Sequence, residues 1–205
     1  MNKKLFIING INSELCQQFI KKIILKNDVI GFYNKKYNGI KHKRLILTNN
    51  LKLDSNIINK INKFKKIVFI NFSASRDEKI LINKNSKTIY NTLKSNIISS
   101  IEILKFIIPF MLKNNYGRVI FLSSKTAEKG STGNIIYSFS KSGLIGISNT
   151  ISKEYSKFNV TSNIISLGYF NTKMWKTLND KTKSKLLKNT LYGKLGRPEV
   201  IIDTI

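Results

Sequence analysis

Short apolar runs alternate along the chain with longer stretches in which apolar residues recur every three or four positions. Runs of five to seven residues rich in Ile, Val and Phe are typical of strands buried on both faces of a sheet, and they predict strands at 4–9, 29–33, 44–48, 67–72, 118–123 and 160–166. The helical spacing predicts helices at 13–26, 55–64, 86–114 and 135–158. Candidate N-caps of these helices are Ser13, Asp54 or Ser55, and Ser86.

This alternation predicts a single α/β domain over residues 1–205. Strand–helix–strand units have right-handed crossovers and produce a mostly parallel, doubly wound sheet with helices on both faces. No low-complexity linker or internal repeat divides the chain. Ligands of such sheets bind at the carboxyl ends of the strands, so functional residues are expected at that edge.

The chain is strongly basic, with 36 Lys plus Arg against 11 Asp plus Glu and a net charge of +25. Such an excess suits binding to the phosphates of nucleic acid. The lysines are scattered over every predicted element rather than clustered on one, so we interpret the charge as general surface charge. Nucleic-acid binding stays as an alternative.

The scarcity of Cys and His excludes several chemistries. One cysteine and one histidine, His42 in a basic run, argue against a disulfide framework, a metal site, and Ser-His-Asp or Cys-His catalysis. The richest apolar stretch, 97–112, is interrupted by Glu102, Lys105 and Pro109, so no membrane span is expected. The apolar core of the N-terminus is shorter than the ~7–15 residues of a signal peptide, so a cytoplasmic location is expected.

Three residues near the middle of the chain suggest proton transfer. Tyr137 and Lys141 stand at i and i+4, which places them side by side on one face of a predicted helix. An ammonium beside a phenol stabilises the phenolate, so the tyrosine exchanges a proton with a substrate oxygen nearer neutral pH. Ser124 follows a buried strand 13 residues earlier, where its hydroxyl can reach the same oxygen. Taken alone, the pair also fits a surface contact in a lysine-rich chain.

The first predicted strand runs into a turn where dinucleotide-binding folds have their glycine-rich motif. The residues are Asn9-Gly10-Ile11-Asn12-Ser13-Glu14-Leu15-Cys16, with one glycine. A helix N-terminus here would present backbone N–H groups to a pyrophosphate. A single glycine after a strand is equally compatible with an ordinary tight turn.

Together these segments resemble the classical short-chain dehydrogenase/reductase family, and within it most closely the 3-oxoacyl-acyl-carrier-protein reductases. Residues 117–124 resemble the strand-and-serine motif of the family, and residues 133–146 resemble its catalytic helix. Residues 163–172 are similar to its cofactor motif, and 195–199 to the segment before its last helix. The resemblance runs from residue 3 to the end and implies a Rossmann-type fold.

The resemblance implies hydride transfer between NAD(P)H and a carbonyl or alcohol carbon. Tyr137 would donate the proton, Ser124 would steady the oxygen, and Lys141 would hold the nicotinamide ribose and favour the tyrosinate. The amide of Asn96, 28 residues before Ser124, would hold a water in a proton relay, and Thr172 would contact the carboxamide. The implied cofactor-binding residues are Gly10, Asn12, Ser13, Leu15, Asn34, Lys35, Asn71, Ser73, Ala74, Tyr137, Lys141, Gly168, Phe170 and Thr172.

The end of the second strand bears on cofactor preference. Tyr33-Asn34-Lys35-Lys36 offers positive charge and no carboxylate. This favours the 2′-phosphate of NADP(H), with NAD(H) as the alternative.

Several positions depart from the family pattern. Glu14 and Cys16 replace the second and third glycines, Phe72 and Ala74 change the usual Asn-Asn-Ala-Gly, and Leu167 replaces a proline. The family's seventh strand is expected to be missing, which leaves the sixth at the sheet edge. These departures favour, as an alternative to an enzyme, a binding or scaffold protein that retains the fold but is impaired in cofactor binding.

The resemblance also implies a substrate and an assembly. The expected substrate is a 3-oxoacyl thioester of fatty acid biosynthesis on an acidic carrier, with a nucleotide sugar or a small ketone as the alternative. Residues 174–192 are expected to form a lid, with Met174 and Trp175 as apolar contacts. The helix at 86–114, with Phe110 and Met111, is expected to pack on another subunit in a homodimer or homotetramer.

Overall fold

The computed structural model describes residues 3–34, 36–49, 54–188 and 190–205, and Lys35 therefore lies outside the described residues. Within them, six strands form one sheet in the order β3-β2-β1-β4-β5-β6, and every neighbouring pair is parallel. The strands are β1 (Leu5–Asn9), β2 (Asp28–Tyr33), β3 (Leu45–Asn49), β4 (Ile67–Asn71), β5 (Gly117–Ser124) and β6 (Val160–Leu167). The strand order changes direction between β1 and β4, so the predicted doubly wound α/β sheet is confirmed.

Helices cover both faces of the sheet. They are α1 (Glu14–Ile23), α2 (Ser55–Asn62), α3 (Ser86–Leu93), α4 (Ser99–Lys113), α5 (Thr126–Lys129), α6 (Ile135–Tyr155), α7 (Lys173–Lys176), α8 (Asp180–Lys188) and α9 (Pro198–Thr204). The single helix predicted at 86–114 is divided into α3 and α4 by a π-helical segment, Lys94–Ile98. The apolar spacing did not predict α5, α7 or α8, because helices of one to three turns contain too few periods to be recognised.

Side chains cap two of the predicted helices. Asp54 Oδ1 accepts a hydrogen bond from Ile57 N at 3.0 Å, and Asn85 Oδ1 accepts one from Thr88 N at 2.8 Å. The N-cap of α3 is therefore Asn85, and the expectation of Ser86 was wrong by one residue. Both caps satisfy a backbone donor that the first helical turn leaves without a partner.

Two apolar layers hold the sheet between the helices. One layer joins alternate strand residues such as Ile7 and Phe69 to α2, α4 and α6. The other joins Ile8 and Ile70 to α1 and α9. Because β1, β2 and β4 are buried on both faces, their sequences are nearly continuous apolar runs, which is why these central strands were predictable.

The helix Ser86–Lys113 is long and apolar enough, by length and composition, to cross a membrane. Here it packs along the sheet through Ile103, Ile107 and Met111, which are fully buried. Met111 therefore faces the core, and the expectation that it contacts another subunit is wrong. Phe110 is partly buried and packs against the same core, with its ring centroid 5.6 Å from that of Phe106.

Candidate active site

A cleft of about 1590 Å³ opens at the carboxyl ends of the strands, where the sheet changes direction. Asn71 and Asn96 do not line it and are fully buried. The predicted site residues that do line it are Gly10, Asn12, Ser13, Leu15, Asn34, Ser73, Ala74, Ser124, Tyr137, Lys141, Gly168, Phe170 and Thr172. The two halves of the predicted site therefore share one cavity.

Lys141 lies at the centre of this cleft and is only 2% exposed. Its Nζ donates to the backbone oxygens of Ser73 (3.1 Å) and Leu122 (2.9 Å) and lies 5.7 Å from the centroid of the Tyr137 ring. Burial lowers the pKa of Lys141 to about 8. An ammonium has three hydrogens, so these two acceptors leave one for a ligand in the cleft.

Opposing effects act on the pKa of the Tyr137 phenol. Burial is the largest and raises its pKa, whereas a hydrogen bond with Ser124 and the positive charge of Arg76 lower it. Ser124 Oγ, at the end of β5, also accepts from Thr126 N at 3.3 Å and Thr126 Oγ1 at 3.1 Å. Two hydroxyls within hydrogen-bond reach of each other in a cleft suit a carbonyl oxygen that accepts from both.

Arg76 is a site residue that the sequence analysis missed. It lines the cleft in the loop after β4, and its Nη2 pairs with Glu78 Oε1 at 2.8 Å. In a chain with 36 Lys plus Arg no local pattern distinguishes this arginine. Only the fold brings its charge near the phenol of Tyr137.

Asn96 lies in the π-helical segment and joins three parts of the fold. Its Nδ2 donates to Ser75 O at 2.8 Å and Ser140 Oγ at 2.9 Å, and its Oδ1 accepts from Ser75 N at 2.6 Å. Both hydrogens of the Asn96 amide are therefore bonded to protein acceptors, and the holding of a water by this amide stays a prediction. Asn96 anchors Ser75, in the loop that lines the cleft.

A buried polar network lies beneath the cleft. Asn9 Nδ2 donates to Asn71 Oδ1 (3.1 Å), Ser99 Oγ (2.9 Å) and Ser100 Oγ (3.1 Å). Asn71 Oδ1 also accepts from Ser73 N at 3.1 Å, so the network holds the backbone that in turn binds Lys141. The signal available in the sequence was the polar residue that ends each buried strand, β1 and β4.

The turn after β1 approaches the end of β4 closely. Gly10 has φ +80°, and a Cβ on it would lie 2.5 Å from Ser73 N, so only glycine fits.

Cys16 is fully buried in the apolar layer under α1, where burial raises the pKa of its thiol. Glu14 begins α1 and lines the cleft at the helix N-terminus, where an anion is favoured.

Phe72, one of the departures from the family pattern, borders the cleft but packs its side chain into the core. It is 3% exposed and packs in the apolar layer, with its ring centroid 5.8 Å from that of Phe19. Of the departures from the family pattern, Cys16 and Phe72 therefore turn into the core. The departures that line the cleft are Glu14, Phe72, Ala74 and Leu167.

The loop after β2 borders the same cleft through Tyr33 and Asn34. It is tied to the β1–α1 unit, since Asn12 Nδ2 donates to Lys36 O at 3.3 Å and Gln17 Oε1 accepts from Ile40 N at 2.9 Å. In the described part of this loop, residues 34 and 36–40, there is no carboxylate.

The segment expected to act as a lid borders the other end of the cleft as two short helices, α7 and α8. Thr172 N donates to Phe170 O at 2.8 Å and begins the turn into α7. Trp175 lines the cleft, as expected, and its ring centroid lies 5.8 Å from that of Tyr169. The side chain of Met174 lies outside the description.

The residues present fit a nicotinamide dinucleotide. Gly10 allows a close turn at the start of α1, and Lys141 retains one hydrogen for a ribose hydroxyl. The carboxylate of Glu14, at the N-terminus of α1, opposes a pyrophosphate there. Among the described residues no group of three His, Cys, Asp or Glu side chains is placed to hold a metal ion.

Known proteins resemble this chain in sequence and in fold. The 3-oxoacyl-acyl-carrier-protein reductase FabG of Buchnera aphidicola strain APS is 29% identical over 218 residues, which cover 100% of this chain and 89% of the relative. Carbonyl reductase family member 4 of Xenopus tropicalis is 28% identical over 136 residues, 66% of this chain and 56% of the relative. A solved short chain dehydrogenase/reductase family protein superposes with a TM-score of 0.81 at 14% identity, covering 100% of this chain and 89% of that one, and it supports the fold alone.

The family assignment rests on the middle of the chain. A family model for the short chain dehydrogenases matches residues 54–183. That range contains Asn96, Ser124, Tyr137 and Lys141. The chain therefore belongs to the short-chain dehydrogenase/reductase family of NAD(P)-dependent oxidoreductases.

Proposed function

We propose that the protein is an NADPH-dependent reductase that converts a carbonyl group of 3-oxoacyl thioester type to an alcohol. The observation that carries this proposal is that Ser124, Tyr137 and the buried ammonium of Lys141 line one cleft, with Lys141 Nζ 5.7 Å from the centroid of the Tyr137 ring. When bound, the nicotinamide supplies the hydride that adds to the carbonyl carbon.

The protein's own residues handle the oxygen and the proton. Ser124 donates a hydrogen bond to the carbonyl oxygen, and the Tyr137 hydroxyl gives that oxygen its proton, so the C=O group becomes CH–OH. The Tyr137 phenol is protonated at neutral pH and so has the proton that the oxygen needs; burial raises its pKa, and Ser124 and the charge of Arg76 oppose that rise and favour release of the proton. The charges of Lys141 and Arg76 then stabilise the phenolate until it regains a proton from solvent.

NADPH is proposed over NADH on the basis of the loop after β2. An NAD-specific site would place a carboxylate on the ribose 2′-hydroxyl. The described residues of this loop offer none and include Lys36. Lys35, expected to contact the 2′-phosphate, lies outside the described residues.

The substrate class is proposed from the relatives. FabG is named for acting on 3-oxoacyl-acyl-carrier protein. The alignment with FabG covers the full length of the present chain. An acidic carrier would be attracted by a protein of net charge +25. A small ketone or a nucleotide sugar in place of the thioester is distinguished by assaying each carbonyl compound in turn.

The test of the reaction is NADPH oxidation, followed by absorbance, with a short 3-oxoacyl thioester. Tyr137→Phe removes the proton donor and is expected to lower kcat by about 10²–10⁴-fold. Tyr155→Phe, the same change at a residue of α6 that does not line the cleft, is the matched control and is expected to stay within twofold of wild type. Unchanged activity in Tyr137→Phe, or no wild-type turnover of any carbonyl compound, would refute the proposal.

A scaffold protein without cofactor binding is the alternative, and Glu14 is the observation that favours it. Calorimetric titration with NADPH separates the two, because micromolar binding excludes the scaffold. Glu14→Gly restores the family residue and removes a negative charge near the pyrophosphate. We expect this variant to bind NADPH several-fold more tightly than wild type.

We propose that the protein forms a homodimer through an apolar face of α3, α4 and α6. Tyr90, Ile98 and Ile101 on one side and Ile135 and Phe139 on the other are all more than 40% exposed. The helices meet closely, since a Cβ on Gly143 of α6 would lie 3.2 Å from Ile97 Cδ1. Large exposed apolar patches mark association surfaces.

The dimer is tested by light scattering of the purified protein. Phe139→Glu places a charge in the apolar face and is expected to yield monomers. Leu25→Glu makes the same kind of change at an exposed leucine after α1 and is expected to leave the dimer intact. A wild-type monomer, or equal effects of both changes, would contradict this interface.

A further inference from the structure

A second groove, of about 740 Å³, lies beside the active-site cleft. The two share residues 168–170, and the groove is completed by Lys125 and by the loop at 190–192 and 194–197. No step of the proposed reaction uses this loop. Its volume is that of ordinary small-molecule sites.

The wall of the groove is built by specific contacts. Phe170 and Gly196 form a parallel bridge, and Gly196 N donates to Tyr169 O at 2.9 Å. A Cβ on Gly196 would lie 2.3 Å from Phe170 Cε1, so the ring packs directly on the loop backbone. The rim is a closed turn, because Gly193 adopts φ +64° and its N–H donates to Thr190 O at 3.0 Å.

The groove carries positive charge without compensation. Its lining contains Lys125, Lys194 and Arg197 and no carboxylate. None of these three cations forms an ion pair with a carboxylate in the described part of the chain. The neighbouring cleft, in contrast, includes the carboxylates of Glu14, Glu78 and Glu102. An anion is therefore favoured in the groove more than in the rest of the cleft.

Apolar side chains stand next to these cations. Leu191 is fully exposed and Tyr192 is 79% exposed at the rim, and Leu195, Tyr169 and Phe170 complete the apolar part of the lining. The Nζ of Lys194 lies 5.7 Å from the centroid of the Tyr192 ring, so charge and apolar surface are adjacent. A ligand that matches both has an anionic head and an apolar body.

We propose that this groove binds a small amphiphilic anion, a carboxylate or phosphate joined to an apolar chain. Residues 168–170 also line the cleft, and the Tyr169 ring contacts Trp175 at 5.8 Å. A ligand in the groove therefore touches the segment that borders the nicotinamide end of the site. Its binding is expected to change the apparent affinity for NADPH.

The test uses decanoate and decyl phosphate as probes, with inorganic phosphate as the head group alone. Trp175 is the only tryptophan of the chain, so its fluorescence reports on the groove through Tyr169. We expect saturable binding of one or both decyl compounds at least tenfold tighter than that of inorganic phosphate. The tighter of the two identifies the preferred head group.

Three variants locate the binding. The double change Lys194→Gln and Arg197→Gln is expected to weaken decyl-compound binding at least tenfold. Lys181→Gln with Lys185→Gln makes the same change of charge on α8, outside the groove, and is expected to have no effect. Leu191→Ser alters a fully exposed side chain, so the fold is retained, and it is expected to weaken decanoate binding but not phosphate binding.

Three results would overturn the proposal. The first is the absence of saturable binding. The second is equal weakening of binding by the groove double variant and by the α8 double variant, and the third is complete displacement of the probe by NADPH. The second would mean general attraction to a protein of net charge +25, and the third would place the probe in the cleft. None of these measurements requires turnover, so this proposal and the proposed reductase activity fail separately.

Discussion

Lys141 is a buried cation held by backbone oxygens, and no carboxylate in the described part of the chain forms an ion pair with it. Its two acceptors, Ser73 O and Leu122 O, offer dipoles rather than an opposing charge. Burial therefore dominates and lowers the pKa of the ammonium to about 8. A charge in this position is costly to the folded protein, and perturbed groups of this kind concentrate at functional sites.

The shifted pKa of Lys141 predicts how stability depends on pH. The unfolded chain, with its usual pKa of 10.5, binds more protons than the folded protein between about pH 8 and 10.5. The free energy of unfolding therefore rises with pH across this window, by about 3 kcal/mol in total. Lys141→Met lacks this contribution. When the free energy of unfolding is measured with urea between pH 7 and 10.5, it should rise more steeply with pH for wild type than for Lys141→Met. Parallel curves would show that the ammonium is not desolvated.

At the scale of the element, the π-helical segment between α3 and α4 positions Asn96 toward two other parts of the fold. An inserted π turn widens the helix locally, and such turns often occur at functional sites. The Asn96 amide bonds Ser75 twice and Ser140 once. The loop after β4, the α3–α4 unit and α6 are thereby joined beneath the cleft.

Asn96→Ala removes the three hydrogen bonds of a fully buried side chain and leaves the backbone N–H and C=O of Ser75 without these partners. We expect it to lower the free energy of unfolding by about 2–4 kcal/mol. Asn62→Ala, at an exposed position at the end of α2, is the control and should change it by less than ~0.5 kcal/mol. Chemical denaturation measures both, and similar values for the two variants would contradict a joining role for Asn96.

The turn between β1 and α1 depends on the close approach of Gly10 to Ser73. Gly10→Ala combines a positive φ of +80° with a Cβ 2.5 Å from backbone, so we expect a loss of roughly 3 kcal/mol or more. Gly130 also has a positive φ, +68°, but a Cβ on it would meet nothing within 4 Å. Gly130→Ala should therefore cost only the backbone strain, about 1–3 kcal/mol. Thermal unfolding of both variants separates the cost of the close approach from that of backbone strain. Equal losses of stability would show that the approach of Gly10 to Ser73 adds nothing.

At the scale of the whole molecule, charge repulsion is built into the chain. Even one-to-one pairing of every carboxylate would leave 25 cations without a carboxylate partner. The ion pairs that are present include the buried Asp28 with Lys3 at 2.9 Å and Lys60 at 3.1 Å. Burial opposes ionisation of Asp28, but these two lysines outweigh it and lower the pKa of its carboxyl. Most of the positive surface lacks such compensation.

Screening should therefore stabilise this protein. We expect Tm to rise by roughly 5 °C between ~0.05 M and ~0.5 M sodium chloride, because salt shortens the range of the repulsion. Chloride is used since sulfate also strengthens apolar burial and would confound the result. A Tm that falls or stays constant in differential scanning fluorimetry would show that repulsion does not limit stability.

The sequence alone predicted the parts of this protein that depend on neighbours along the chain. All six strands were predicted, and the signal is clearest in β1, β2 and β4, which are buried on both faces and are nearly continuous apolar runs. Tyr137 and Lys141 were assigned to one helix face because i and i+4 residues are adjacent in any α-helix. The lid segment was expected from its place after the cofactor motif, but its division into α7 and α8 was not.

Only the tertiary structure decided how distant residues meet. It turned Cys16 and Phe72 into the core, brought Arg76 near Tyr137 and engaged both amide hydrogens of Asn96 with protein acceptors. It also assembled the basic groove from Lys125 and a loop some seventy residues later. The physical reason is that the burial, charge and hydrogen bonds of these side chains arise from elements packed across the sheet, and spacing along one segment carries no information about them.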